Sequence, residues 1–112
     1  MELSVVIPVL NEEENLKPLW LRLTSVLSSF KKSYEILFVD DGSQDMTFSI
    51  LKGFAKEDPH VKVIRLSRNF GQHLAIQAGF EKSQGEMVIT LDADLQNPPE
   101  EIPKLLKKLE AG

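Results

Sequence analysis

Four short runs rich in apolar and β-branched residues, at positions 4–9, 34–39, 61–66 and 86–91, limit what this chain can become more than any other feature. Each is followed by a polar turn and then by a segment whose apolar residues recur at helical spacing. Leu16, Leu19, Trp20, Leu23, Leu27 and Phe30 mark the first such face, Thr47, Ile50, Leu51 and Phe54 the second. Leu74, Ala75, Ala78 and Gly79 mark the third, where the small residues predict close packing on a sheet. Ile102, Leu105, Leu106 and Leu109 mark the last. Pro103 is tolerated only in a first helical turn, so this helix is expected to start near Glu100 or Glu101. Strand and helix thus alternate four times with short connections. The expected fold class is α/β: a Rossmann-like, mainly parallel sheet with right-handed crossovers and helices on both faces.

The turns that follow the strands carry the chemistry. Pro8 marks the end of the first strand, Asn11 is placed to cap the first helix, and Glu12, Glu13 and Glu14 fall in the first turn that the helix dipole favours. The second strand runs into Asp40-Asp41-Gly42-Ser43, with Ser43 or Asp45 as the cap of the second helix. This acidic pair reads equally well as a turn former and as part of a site. The fourth strand runs into Asp92-Ala93-Asp94-Leu95-Gln96-Asn97-Pro98-Pro99. Two carboxylates one residue apart repel unless a cation lies between them, and Mg²⁺ or Mn²⁺ prefers such hard oxygen ligands while substrate phosphates complete its shell. An isolated Asp-x-Asp is most often a solvated turn. Its place at the carboxyl end of an interior strand, where open α/β sheets gather their ligands, favours the functional reading. Arg68, in the loop Ser67-Arg68-Asn69-Phe70-Gly71, can offer phosphate a fork of donors, although a solvated arginine is the commoner case. His73 has no visible ligand partner and reads as a surface or packing residue. No Gly-x-Gly-x-x-Gly follows the first strand, so phosphate has to be handled without the dinucleotide fingerprint.

Composition removes several classes. With 112 residues and 42% hydrophobic content there is material for one core, and one domain over residues 1–112 is expected. A net charge of −4 with thinly spread Lys and Arg argues against a nucleic-acid partner, and the absence of Cys excludes disulfides and thiolate metal sites. The basic residues Lys104, Lys107 and Lys108 read as the solvated side of the last helix. The first residues look like a strand rather than a signal peptide, and no run approaches the roughly 20 apolar residues of a membrane span.

Three motifs then fall in register: Val5-Val6-Ile7-Pro8-Val9-Leu10-Asn11-Glu12-Glu13, Val39-Asp40-Asp41-Gly42-Ser43 and Leu91-Asp92-Ala93-Asp94-Leu95-Gln96-Asn97-Pro98-Pro99. Together they resemble family 2 glycosyltransferases of the GT-A fold. The Asp-Ala-Asp-Leu-Gln-x-Pro-Pro form and the Ser67–Gly71 loop make the chain similar to the polyprenyl-phosphate branch, as in dolichol-phosphate mannose synthases. The resemblance implies a metal-dependent enzyme that moves a sugar from a GDP- or UDP-sugar to a polyprenyl or dolichyl phosphate at the cytoplasmic face of a membrane. It implies that Pro8, Leu10 and Glu12 line the nucleoside site, and that Asp41, with Asp40 beside it, bonds the base or ribose. Arg68 and Ala93 join that nucleotide-binding set. The resemblance further implies that Asp92 and Asp94 carry the catalysis and, with Gln96, hold the metal and the donor diphosphate. Family members continue with strands that build the acceptor side, so this chain is expected to be the nucleotide-binding half of the domain, inactive alone and able to self-associate through an exposed sheet edge. Two other enzyme or binding readings remain, a nucleotidyltransferase and a non-catalytic nucleotide-binding module. A phospho-receiver module ranks last, because its acidic pair would follow the first strand.

Overall fold

The computed structural model describes residues 1–94 and 98–111, with side chains as far as Lys108. The strands are β1 (Leu3–Val9), β2 (Tyr34–Asp40), β3 (Val61–Arg65) and β4 (Met87–Thr90). The helices are α1 (Leu16–Ser28), α2 (Thr47–Glu57), α3 (Gln72–Lys82) and α4 (Ile102–Ala111), the last entered through a 3-10 turn at Pro99–Glu101. All pairings are parallel, in the order β3-β2-β1-β4. The expected α/β architecture is therefore present, with β3 and β4 at the edges of the described sheet.

Alternation along the strands divides the core between two faces. Leu3, Val5, Ile7 and Val9 of β1, with Ile36 and Phe38 of β2, meet Leu16, Leu19, Leu23 and Leu27 of α1, Leu51 and Phe54 of α2, and Ile102 and Leu106 of α4. Each of the four α1 leucines is fully buried, which contributes about 1.5–3 kcal/mol apiece. The opposite face packs Val6, Leu37 and Val39 against Ala75 of α3. There the expected close approach is realised at Gly79, where a Cβ would stand 2.4 Å from Val6 Cγ1. Trp20 is half-buried rather than fully enclosed; it stacks on Phe54 at 4.2 Å and donates its indole N–H to Asp58 at 3.3 Å. His73 is exposed, as expected.

Several local expectations are corrected. Pro8 lies inside β1, in register with Val39. The alternating ladder explains its tolerance: Val9 O accepts from Asp41 on the β2 side, whereas Val6 O accepts from Leu91 N on the β4 side. Pro8 shares the direction of Val6, and β4 has ended at Thr90, so no ladder bond is lost there. Asn11 does not cap α1 and Glu12–Glu14 are not its first turn; the helix starts at Leu16 with Asn15 at the N-cap. Asn11 instead takes a positive φ of 51° and spends its side chain on another loop. Leu74 and Leu105, assigned to buried faces, are 50% and 43% exposed. The Leu109 side chain lies outside the described residues. Asp45 does act as an end group for α2, its Oδ1 accepting from Thr47 N at 2.9 Å. Helix α4 begins one turn after Pro98, with Pro103 in its first turn as expected.

Candidate functional site

The chain runs β1, β2, β3 outward in one direction and then returns to lay β4 on the other side of β1. Crossovers leave this reversal point on opposite faces, which opens a crevice beyond the carboxyl ends of β1 and β4. A cavity of about 410 Å³ occupies that position, lined by Pro8, Val9, Leu10, Glu12, Asp41, Asn69, Gly71, Gln72, Asp92, Ala93 and Asp94.

Its walls are three loops bonded to one another. The β1 and β2 loops are joined by Asn11 N donating to Ser43 Oγ (2.9 Å), Gln44 N to Asn11 Oδ1 (2.9 Å), Glu12 N to Thr47 Oγ1 (3.0 Å) and Met46 N to Glu13 Oε2 (3.2 Å). Asp41 ties in the loop after β3: its Oδ1 accepts from Phe70 N at 2.8 Å and its Oδ2 from Gly71 N at 3.0 Å. Gly42 follows at φ 79°, and a Cβ there would stand 2.5 Å from the carbonyl carbon of Arg68. Only glycine lets the two backbones approach so closely in that conformation. On the β4 side, Gln72 at the start of α3 donates Nε2–H to Asp92 Oδ1 at 3.2 Å.

Of the residues expected at a nucleotide site, Pro8, Leu10, Glu12, Asp41, Asp92, Ala93 and Asp94 come together around this one cavity. Asp40 does not: it is fully buried, its Oδ1 accepts from Ser43 N at 2.9 Å, and its Oδ2 has no partner among the described residues. Arg68 faces a neighbouring cavity instead. Gln96 lies outside the described residues. The sequence reading missed Val9, Asn69, Gly71 and Gln72 as wall residues. Asn69 and Gly71 stand in the loop motif already quoted, but only the Asp41 bridge shows that this loop turns back over β2.

Among the described residues no group of three or more His, Asp or Glu side chains converges as a metal cage. Asp92 and Asp94 nevertheless border the same cavity. Two carboxylates on one wall suit a hard divalent ion whose remaining positions are filled by water and phosphate oxygens, the arrangement Mg²⁺-type ions favour.

A parallel sheet with a carboxylate-lined cavity at its reversal point belongs to the open α/β architectures that gather ligands at the carboxyl ends of their strands. The chain is a member of the family described as Glycosyl transferase family 2, which matches residues 4–112. It is 51% identical over 112 residues to the undecaprenyl-phosphate 4-deoxy-4-formamido-L-arabinose transferase of Salmonella choleraesuis, covering 99% of this chain and 34% of that protein. The chain thus spans about a third of the length of this relative. Staphylococcus aureus TarS 1-349 in complex with UDP-GlcNAc superposes with a TM-score of 0.79 at 26% identity, over 96% of this chain and 30% of that one. The mannosyltransferase PcManGT of Pyrobaculum calidifontis, solved with GDP-Man and Mn²⁺, shares the fold with a TM-score of 0.69 at 23% identity, over 89% of this chain and 29% of that one.

Proposed function

We propose that this chain is the donor-binding part of a glycosyltransferase that transfers a sugar from a GDP- or UDP-sugar to a polyprenyl phosphate at the cytoplasmic face of a membrane. The observation that carries the reading is the convergence of the β1 loop, Asp41 and the Asp92–Asp94 pair on one cavity at the reversal point of the sheet. The named activity of the half-identical relative, an undecaprenyl-phosphate transferase, supports the acceptor class.

In this reading Pro8 and Leu10 offer an apolar wall to the nucleoside, and Glu12 and Asp41 offer acceptors to base N–H or ribose hydroxyls. Asp41 keeps acceptor capacity beside its two backbone bonds, since each carboxylate oxygen has two lone pairs. Asp92 and Asp94 would hold Mg²⁺ or Mn²⁺ together with the donor diphosphate, with Gln72 orienting Asp92. The ion, when bound, supplies charge neutralisation to the diphosphate as a Lewis acid. In the transfer, the bond between the anomeric carbon and the donor phosphate oxygen breaks while an acceptor phosphate oxygen bonds that carbon. The nucleoside diphosphate leaves. An acceptor phosphate is already anionic at neutral pH, so positioning, rather than proton removal, is the task of the protein.

Calorimetric titration of UDP and GDP, each with and without Mn²⁺, tests this on the chain itself. Nucleotide is expected to tighten Mn²⁺ binding and Mn²⁺ to tighten nucleotide binding by the same factor, because linkage is reciprocal. Failure of both nucleotides to bind in the presence of Mn²⁺ would overturn the reading.

A further inference from the structure

Beside the 67–71 loop lies a second cavity, of about 570 Å³, whose wall includes Ser43, Gln44, Arg65, Ser67, Arg68 and Asn69 and, among the described residues, no acidic one. Arg65 is the last residue of the edge strand β3, and its guanidinium carbon sits 4.2 Å from the centre of the Phe48 ring on α2. Arg68 stands likewise over Phe70 at 4.8 Å, and Lys52 Nζ lies 5.4 Å from the Phe48 ring. Neither arginine forms an ion pair among the described residues, although the chain carries 17 acidic side chains against 13 basic ones. An aromatic ring against the face of a guanidinium limits its motion and leaves the N–H edges open, the edges that match phosphate oxygens. Ser43 Oγ already accepts from Asn11 N, so its own proton is available to donate.

We infer that this cavity is a second anion site, which takes a phosphate group without a metal ion and independently of the donor. The contrast with the first cavity supports the separation. Glu12, Asp41, Asp92 and Asp94 line the first, so a phosphate there needs a cation to offset them, whereas here two arginines supply the positive charge directly. Asn69 is the one residue shared by the two linings. The phosphate belongs either to a soluble phosphate ester or to the headgroup of an anionic lipid, and the chemistry of recognition is the same for both.

The test is a titration of the chain with inorganic phosphate in EDTA, followed by amide shifts of residues 65–69, in parallel with co-sedimentation on phosphatidylglycerol and phosphatidylcholine vesicles. Arg65→Gln, Arg68→Gln and the double variant are compared with the wild type, with circular dichroism as the check on folding; both side chains are exposed, so the fold is expected to stay intact. Phosphate is expected to bind in EDTA, the double variant to lose roughly tenfold or more in affinity, and UDP binding in Mn²⁺ to be unchanged. Phosphatidylglycerol binding that is lost in the double variant and displaced by phosphate identifies a lipid headgroup as the source. Phosphate binding without vesicle binding identifies a soluble ester, and either supports the site. Absence of phosphate binding in EDTA, persistence of binding in the double variant, or weaker UDP binding by Arg68→Gln would overturn it, the last by assigning Arg68 to the donor cavity.

Discussion

At the amino end of the sheet, Glu35 is 1% exposed and accepts from Ser4 Oγ at 2.6 Å, Gln84 N at 2.7 Å and Lys62 Nζ at 2.7 Å, while Gly85 N donates to Ser4 Oγ at 2.8 Å. At the carboxyl end, Asp40 leaves one buried oxygen without a partner among the described residues, and Asp92 and Asp94 border open space. The same strands β1 and β2 carry both arrangements. A buried carboxylate whose oxygens are all engaged fixes structure, here by locking the α3–β4 connection onto β1. Carboxylates gathered around a cavity face open space instead, where a hard cation and phosphate oxygens have room to meet them.

Substitution at the amino end is expected to have the largest effect on stability. Glu35→Ala leaves Ser4, Gln84 N and Lys62 without their acceptor, and should cost roughly 3 kcal/mol. Urea denaturation measures it, and nucleotide affinity of the folded fraction should be unchanged. A loss of under about 1 kcal/mol would show that water replaces these bonds freely, and the distinction between the two ends would fail. Gly42→Ala is next, because it combines strain at φ 79° with a Cβ pressed on the Arg68 backbone. It should cost about 2 kcal/mol and, unlike Glu35→Ala, should also weaken nucleotide binding by displacing the loop wall. Nucleotide affinity equal to wild type would mean that the loop does not shape the cavity.

Asp94→Asn reverses the pattern. It removes charge at an exposed position, so stability should move by no more than about 0.5 kcal/mol. Yet the coupling between Mn²⁺ and nucleotide, expected to be roughly tenfold in the wild type, should vanish. Asp41→Asn should instead weaken nucleoside binding with or without metal, and should cost about 1 kcal/mol because an amide N–H would face either Phe70 N or Gly71 N. Full coupling in Asp94→Asn would reduce the aspartate pair to a turn.

How far the sequence discloses this molecule follows from the range of each interaction. The strands, the apolar helix faces and the glycine packed on the sheet come from periodicity and residue size, which are local, and they were legible. The start of α1 was not, because Asn11 and Glu13 have cap-like character that a loop more than thirty positions away claims for itself. Leu74 and Leu105 have helical spacing, but the spacing does not tell how wide a stripe the sheet covers. At the site, the acidic turns and the β1 motif were legible as chemistry. The placement of Arg68 on the second cavity rather than the first was not, since it depends on the Asp41 bridge to Phe70 and Gly71. Glu35 was passed over inside an apolar strand, because its partners lie on three other segments.

The shallowest expected effect is on pH dependence, and it sharpens the same contrast at the amino end. Burial alone would raise the Glu35 carboxyl, but hydrogen bonds from Lys62, Ser4 and Gln84 N outweigh it and hold Glu35 below its ordinary value of 4.5. Asp58 behaves alike: burial pushes it up, while the His60 backbone and ring and the Trp20 indole bring it below 3.8. A group depressed on folding binds its proton more weakly in the native state. Its stabilisation is therefore complete above the unfolded value and is lost as pH falls through the folded one. Wild-type stability should hold constant with respect to these groups from neutral pH down to about 4.5 and decline below it. Glu35→Gln cannot titrate, so its urea midpoint should fall less steeply over that range, leaving the slope owed to Asp58 and the remaining carboxylates. Measured between pH 7 and pH 3, parallel slopes for the two proteins would show that Glu35 contributes no proton linkage, and that its three hydrogen bonds stabilise the carboxylate no better than water does.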